Sequence, residues 1–187
     1  MRIARKSLLP LLAMILVTLS PGPASAEERV CRGTIGAVTV DNLLVPQSAR
    51  CTLNSTRVKG TIKVSRGAVL SARNVIVIGN VQGEGAAIVN VLGGSRIGGS
   101  VQIVQGGAAT VADSRINGDI LYDTQRRLVR ALRNIVGGNV QAFQNSGGVQ
   151  ILRNRIGGNL QCKANRPAPT GGFNIVGGNK EDQCRRL

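Results

Sequence analysis

Seven glycines recur along this chain at almost constant intervals. Gly60, Gly79, Gly99, Gly118, Gly138, Gly158 and Gly178 follow one another at steps of 19, 20, 19, 20, 20 and 20 residues. A period near 20 held over most of a chain marks a repeat architecture, in which each unit buries its apolar face only by stacking on its neighbours. Most alternative folds are excluded on that ground alone.

Aligning the repeats on their glycine exposes the columns. Two residues before it stand Val58, Val77, Ile97, Ile116, Val136, Ile156 and Val176. Two residues after it stand Ile62, Val81, Val101, Ile120, Val140 and Leu160, and then Lys180. Further pairs two residues apart, such as Ala109/Val111, Val129/Ala131 and Val149/Ile151, precede each corner. Spacing by two and enrichment in β-branched residues are the marks of strands, and no window sustains a helical period. The expected fold is all-β: a single-stranded parallel β-solenoid, right-handed, with about eight coils of 19–20 residues. Coils would stack ~4.8 Å apart. Glycine at each corner is explained by a backbone region that side chains obstruct.

Polar columns run beside the apolar ones. Thr56, Val75, Ser95, Ser114, Asn134, Asn154 and Asn174 stand four before the glycine, all polar but Val75. Thr61, Asn80, Ser100, Asp119, Asn139, Asn159 and Asn179 stand one after it. These read as corner posts that satisfy buried backbone groups, with a ligand ladder as the functional alternative.

Both ends depart from the pattern. Gly33 sits 27 residues before Gly60, which predicts an insertion of about seven residues in the first coil. Leu43, Leu44, Val45 and Pro46 would then fold over the open top. Arg166, Pro167, Ala168 and Pro169 are expected to replace a strand, because proline cannot donate to a ladder. Lys180, Glu181 and Asp182 end the aliphatic column with charge.

Residues 1–26 have the form of a signal peptide: Arg2, Arg5 and Lys6, a short apolar stretch from Leu8 to Leu19, and Ala24-Ser25-Ala26 before Glu27. The expected mature chain is one domain over 27–187, secreted to the periplasm or outside the cell. No transmembrane helix or lipid anchor is expected on it. Export permits disulfides. Cys31 and Cys51 lie 20 residues apart and Cys162 and Cys184 lie 22 apart, each about one coil, so the expected pairs are Cys31–Cys51 and Cys162–Cys184. A zinc site is not indicated, since the chain has no histidine and no Cys-x-x-Cys.

The units Val77–Gln82, Ile97–Gln102, Val136–Gln141 and Ile156–Gln161, each of the form Val/Ile-x-Gly-polar-Val/Leu-Gln, resemble the short parallel β-helices of bactofilin-type polymer-forming proteins. They are also loosely similar to the coils of pectate-lyase-like β-helices. The resemblance lies in repeat style and spans residues 30 to 184. It implies a β-helix and, from the first family, end-to-end polymerisation. The signal peptide, the cysteines and the charged terminus depart from that pattern, so the chain is expected to be a monomer.

Absence of histidine removes Ser-His and Cys-His catalysis and histidine-ligated metals. The remaining catalytic candidates are Asp113, Asp119 and Asp123, with Arg115 nearby, as a carboxylate or calcium site of a polysaccharide-acting enzyme. No cofactor is implied. Tyr122, Phe143 and Phe173 are the only aromatics, too few for stacking on sugars or single-stranded nucleic acid.

The formal charge of +15 falls to +12 when the three cations of the leader are subtracted. Such an excess favours anionic partners. Three residues before the glycine stand Arg57, Ile76, Arg96, Arg115, Ile135, Arg155 and Ile175, flanked by inward columns and so facing outward. Arg57, Arg96, Arg115 and Arg155 are the candidate binding residues, with Arg133 and Arg153 on the neighbouring edge and Gln82, Gln102, Gln141 and Gln161 as a second polar row. The expectation is a non-enzymatic, secreted or envelope-associated protein whose basic face contacts an anionic surface polymer. Specific nucleic-acid binding is not expected. The alternatives are a lyase-like enzyme and a polymer-forming scaffold.

Overall fold

A computed structural model describes residues 27–187; the expected signal peptide, 1–26, lies outside the described residues. Every regular element in that range is a strand. The strands pair in parallel in three sheets of nine, eight and eight members, and each coil contributes one strand to each sheet. One coil shows the order: Val101–Val104 in the first sheet, Ala108–Ala112 in the second, Arg115–Ile116 in the third. The chain is a parallel β-solenoid of about eight turns.

The apolar columns stack as the repeat requires. Val58, Val77, Ile97, Ile116, Val136 and Ile156 are partners in the third sheet. Ile62, Val81, Val101, Ile120, Val140 and Leu160 stack in the first and are fully buried. A second inward column of the first sheet varies in size: Gly83, Ile103, Tyr122, Ala142 and Cys162. The buried Tyr122 fits because its upper neighbour is alanine, and its hydroxyl donates to the Arg130 carbonyl at 2.7 Å. Burial raises the Tyr122 pKa far above the ordinary phenol value.

The role of the repeated glycine differs from the one expected. None of Gly60, Gly79, Gly99, Gly118, Gly138, Gly158 and Gly178 has a left-handed backbone. A Cβ at Gly79 would lie 2.7 Å from the Gly60 carbonyl oxygen, and at Gly99, Gly138, Gly158 and Gly178 it would strike the side-chain oxygen of Asn80, Asp119, Asn139 or Asn159. Glycine is needed there because adjacent coils approach closely. Left-handed corners fall elsewhere, on Asn74, Asp113, Arg133, Arg153 and Phe173, with φ between +52° and +56°.

The N-terminal register also differs. Gly33 pairs with Cys51 in the second sheet, so it is not a corner of the glycine column. Asp41 and Asn42 turn that corner: Gly60 N–H donates to the Asp41 carbonyl, and Asn42 Oδ1 accepts the Thr61 N–H at 3.0 Å. Asn42–Val45 is a regular strand of the first sheet, paired on both sides, with Leu43 and Val45 fully buried. There is no insertion over the top. The extra residues build a further, leading coil from Glu28–Val30, Gly33–Ile35 and Thr39–Val40. At the other end the strand survives as Thr170–Gly172, and only its first position is taken by the buried Pro169.

Two disulfides join Cys31 to Cys51 and Cys162 to Cys184, with Cα separations of 5.6 and 5.3 Å. The paired cysteines are not stacked partners. Cys51 stacks on Gly33 and Cys162 on Asp182, so each bridge crosses two residues along the coil. Disulfides of this kind persist in oxidising compartments. No helix among the described residues is long and apolar enough to cross a membrane.

Candidate binding face

The polar columns are structural posts. In the corner between the second and third sheets, Asn134 N–H donates to Asn154 Oδ1 at 2.9 Å and Asn154 N–H to Asn174 Oδ1 at 2.9 Å. Their Nδ2 groups reach inward to the carbonyls of Val111, Ala131 and Ile151. All three asparagines are buried. In the corner before the first sheet the direction reverses, and each backbone N–H donates to the coil before it: Ser100 to Asn80, Asn159 to Asn139, Asn179 to Asn159. A third ladder, Gln125, Asn145, Asn165 and Gln183, was not legible as a column, because Ala68, Ala86 and Gly106 occupy that corner in earlier coils. Its first rung is open: Gln125 Oε1 is buried without a partner.

The candidate carboxylates do not converge. Asp113 lies at the left-handed corner before the third sheet and forms a bidentate pair with Arg133 at 2.6 and 2.7 Å. The guanidinium holds the Asp113 pKa below the usual carboxylate value. Asp119 is a ladder post that accepts both the N–H and Nδ2 of Asn139. Asp123 ends the first-sheet strand Ile120–Asp123 and accepts the Thr124 hydroxyl. Four strand residues at ~3.3 Å each put its backbone about 13 Å beyond that of Asp119. No group of three acidic, cysteine or histidine side chains suited to a metal occurs among the described residues.

The arginine row does assemble. Arg57, Ile76, Arg96, Arg115, Ile135, Arg155 and Ile175 are successive partners of the third sheet. The register follows from strands of only two residues, such as Arg96–Ile97, whose second side chain points into the core and turns the first outward. Arg57, Arg96, Arg115 and Arg155 are exposed. The strands of this sheet contain no aspartate or glutamate. The ion pairs among the described residues are Lys59–Asp41, Lys63–Glu28 and Arg133–Asp113, so these four arginines have no carboxylate partner. Arg133 and Arg153 sit on the adjoining corner, where Arg153 lies over the Phe173 ring at 5.9 Å.

The isoleucines between the arginines also shape the face. Ile135 is 47% exposed and Ile175 63%. One shallow groove runs between Ile76, Ile78, Arg96 and Arg115 over Gly98, and a second between Ile135, Arg155 and Ile175 over Gly157. A larger depression, about 710 Å³, lies instead on the first sheet, where Lys63 and Arg66 share the rim with Glu84. Its mixed charge makes it the weaker anion site. The glutamine row also lies on that sheet and is tied into itself, Gln141 Nε2 donating to Gln161 at 2.8 Å and Gln161 Nε2 to Glu181 at 2.8 Å.

No family model matches the sequence, and no curated protein or solved structure matches it either; what the molecule shows is a β-solenoid repeat fold, with nothing specific to bactofilin-type or pectate-lyase-like proteins.

Proposed function

We propose that this protein is a non-enzymatic binding or structural component of the cell exterior, whose third face contacts an anionic surface polymer. The observation that carries this reading is the register of Arg57, Arg96, Arg115 and Arg155 on one sheet free of acidic residues. Aligned, unpaired guanidiniums repel one another, and an anion spanning them relieves that repulsion while accepting bidentate hydrogen bonds. The separation of Asp113, Asp119 and Asp123 gives the lyase alternative no support.

Retention on anionic wall or membrane-surface material tests the reading. It should fall at high salt and be lost when Arg57, Arg96, Arg115 and Arg155 are all changed to Gln. Their side chains are exposed, so the variant should melt like the parent. Retention that ignores those four substitutions rules the proposal out.

A further inference from the structure

The arginines of the third sheet are unevenly spaced, and the spacing constrains the ligand. Counting coils from Arg57, the cations stand at steps zero, two, three and five, with Ile76 at step one and Ile135 at step four. At ~4.8 Å per step the row from Arg57 to Arg155 is about 24 Å long, and the outer arginines lie about 10 Å from the central pair. The row reads the same in both directions. Each isoleucine fills the gap between one outer arginine and the Arg96/Arg115 pair, and each lines a shallow groove with an arginine on its border.

A small anion could engage only Arg96 and Arg115. A flexible polyphosphate would satisfy the charges and leave the isoleucines in water. A lipid headgroup would occupy the pair without reaching the outer arginines. Full use of the row needs an extended chain that presents anionic groups at intervals of about two coils, with apolar surface between them. Sugar rings linked in a line supply this, since their C–H faces are apolar and their carboxylates project at the edges.

We infer that the third face binds an acidic polysaccharide lying parallel to the solenoid axis, with carboxylates on Arg57, the Arg96/Arg115 pair and Arg155, and ring faces on Ile76 and Ile135. The inference rests on the proposed anion-binding function and adds the ligand's class, direction and length. Binding is multivalent, so each further contact acts at high effective concentration.

The test uses the protein over residues 27–187 and size-graded oligouronates, with polyphosphate of equal charge and duplex DNA as competitors. Affinity should rise at least tenfold from the disaccharide to a chain of about 24 Å and then level off. The double variant Ile76→Thr, Ile135→Thr keeps β-branched residues at two outward positions, one half-buried and one exposed. It should weaken the long chain about tenfold while leaving the salt dependence unchanged. Affinity that ignores chain length, tolerance of the threonine pair, or equal or tighter binding of polyphosphate or DNA overturns the inference while anion binding itself stands. Absence of salt-sensitive binding to every anionic chain overturns both.

Discussion

A methyl group added at Gly138 would collide with the Asp119 carboxylate and lie 3.0 Å from the Gly118 carbonyl oxygen. Much of this molecule's stability is decided by contacts of that kind, between one residue and its equivalent a coil earlier. Gly138→Ala should cost about 2–3 kcal/mol, since overpacking against backbone outweighs the ~0.5 kcal/mol gained by restricting the unfolded chain. Gly36 has an ordinary φ and nothing within 4 Å of an added Cβ, so Gly36→Ala should be neutral or slightly stabilising. Denaturant melts of the two variants check this, and equal effects would contradict the close-approach account. The asparagine posts are as exacting. Asn154 accepts from the backbone and side chain of Asn134 at 2.9 and 3.0 Å and donates to Ala131 at 2.8 Å, while 1% exposed. Asn154→Ala strands a buried N–H and a carbonyl and should lower stability by about 3 kcal/mol in the same assay; a loss under 1 kcal/mol would show that the post is dispensable.

At the scale of the coil, the third ladder explains part of the drift between 19 and 20 residues. Eight residues separate Val101 from Ala109, and nine separate the stacked Ile120 from Val129. The added residue accompanies Gln125, whose side chain reaches inward to the Ile103 and Asp123 carbonyls at 2.7 and 2.8 Å. Later coils keep the longer corner and fill it with Asn145 and Asn165. Terminal coils have a neighbour on one side only, and the disulfides compensate. Each closes a loop of 20 or 22 residues and should contribute about 3 kcal/mol in the chain-entropy description. Changing Cys162 and Cys184 together to Ser should remove amide-exchange protection from Lys180–Asp182 first, with the central coils still protected. Uniform loss of protection along the chain would mean that the coils unfold as one unit.

For the whole molecule, the ends and the outer faces set what it can do. The C-terminal end is closed by three devices within five residues: Gln183 accepts the Asn165 N–H at 2.9 Å, Cys184 is bridged to Cys162, and Leu187 packs on the core. An uncovered solenoid end is a row of free strand edges. Truncation after Asp182 should therefore convert a single species in size-exclusion chromatography into concentration-dependent larger ones. A truncated chain that elutes unchanged at every concentration would show that the cap does not prevent end-to-end contact. The faces divide the remaining labour. The first carries mixed charge and the glutamine row, and the strands of the third carry cations without acids, with Asp113, paired to Arg133, at the adjoining corner.

Much of this fold was legible because its cause is local and repeated. Alternation by two, the Val/Ile columns and the constant step fix three strands per coil, and cysteines one coil apart can meet only at the ends where they stand. The arginine row was legible for the same reason, since a position between two inward columns must face out. What the chain alone could not supply depended on the neighbouring coil. Whether a glycine answers a left-handed backbone or a carbonyl pressed against it is visible only when the coils are stacked. Asp41-Asn42 could replace Gly-Thr at a corner unseen, because the hydrogen bonds are kept while the letters change. Asp113, Asp119 and Asp123 lie within eleven residues in sequence, yet winding sends them to a corner, a post and a strand end. Sequence periodicity determined the shape of one coil; stacking decided which side chains meet, and left the four arginines of the third sheet without a carboxylate partner among the described residues.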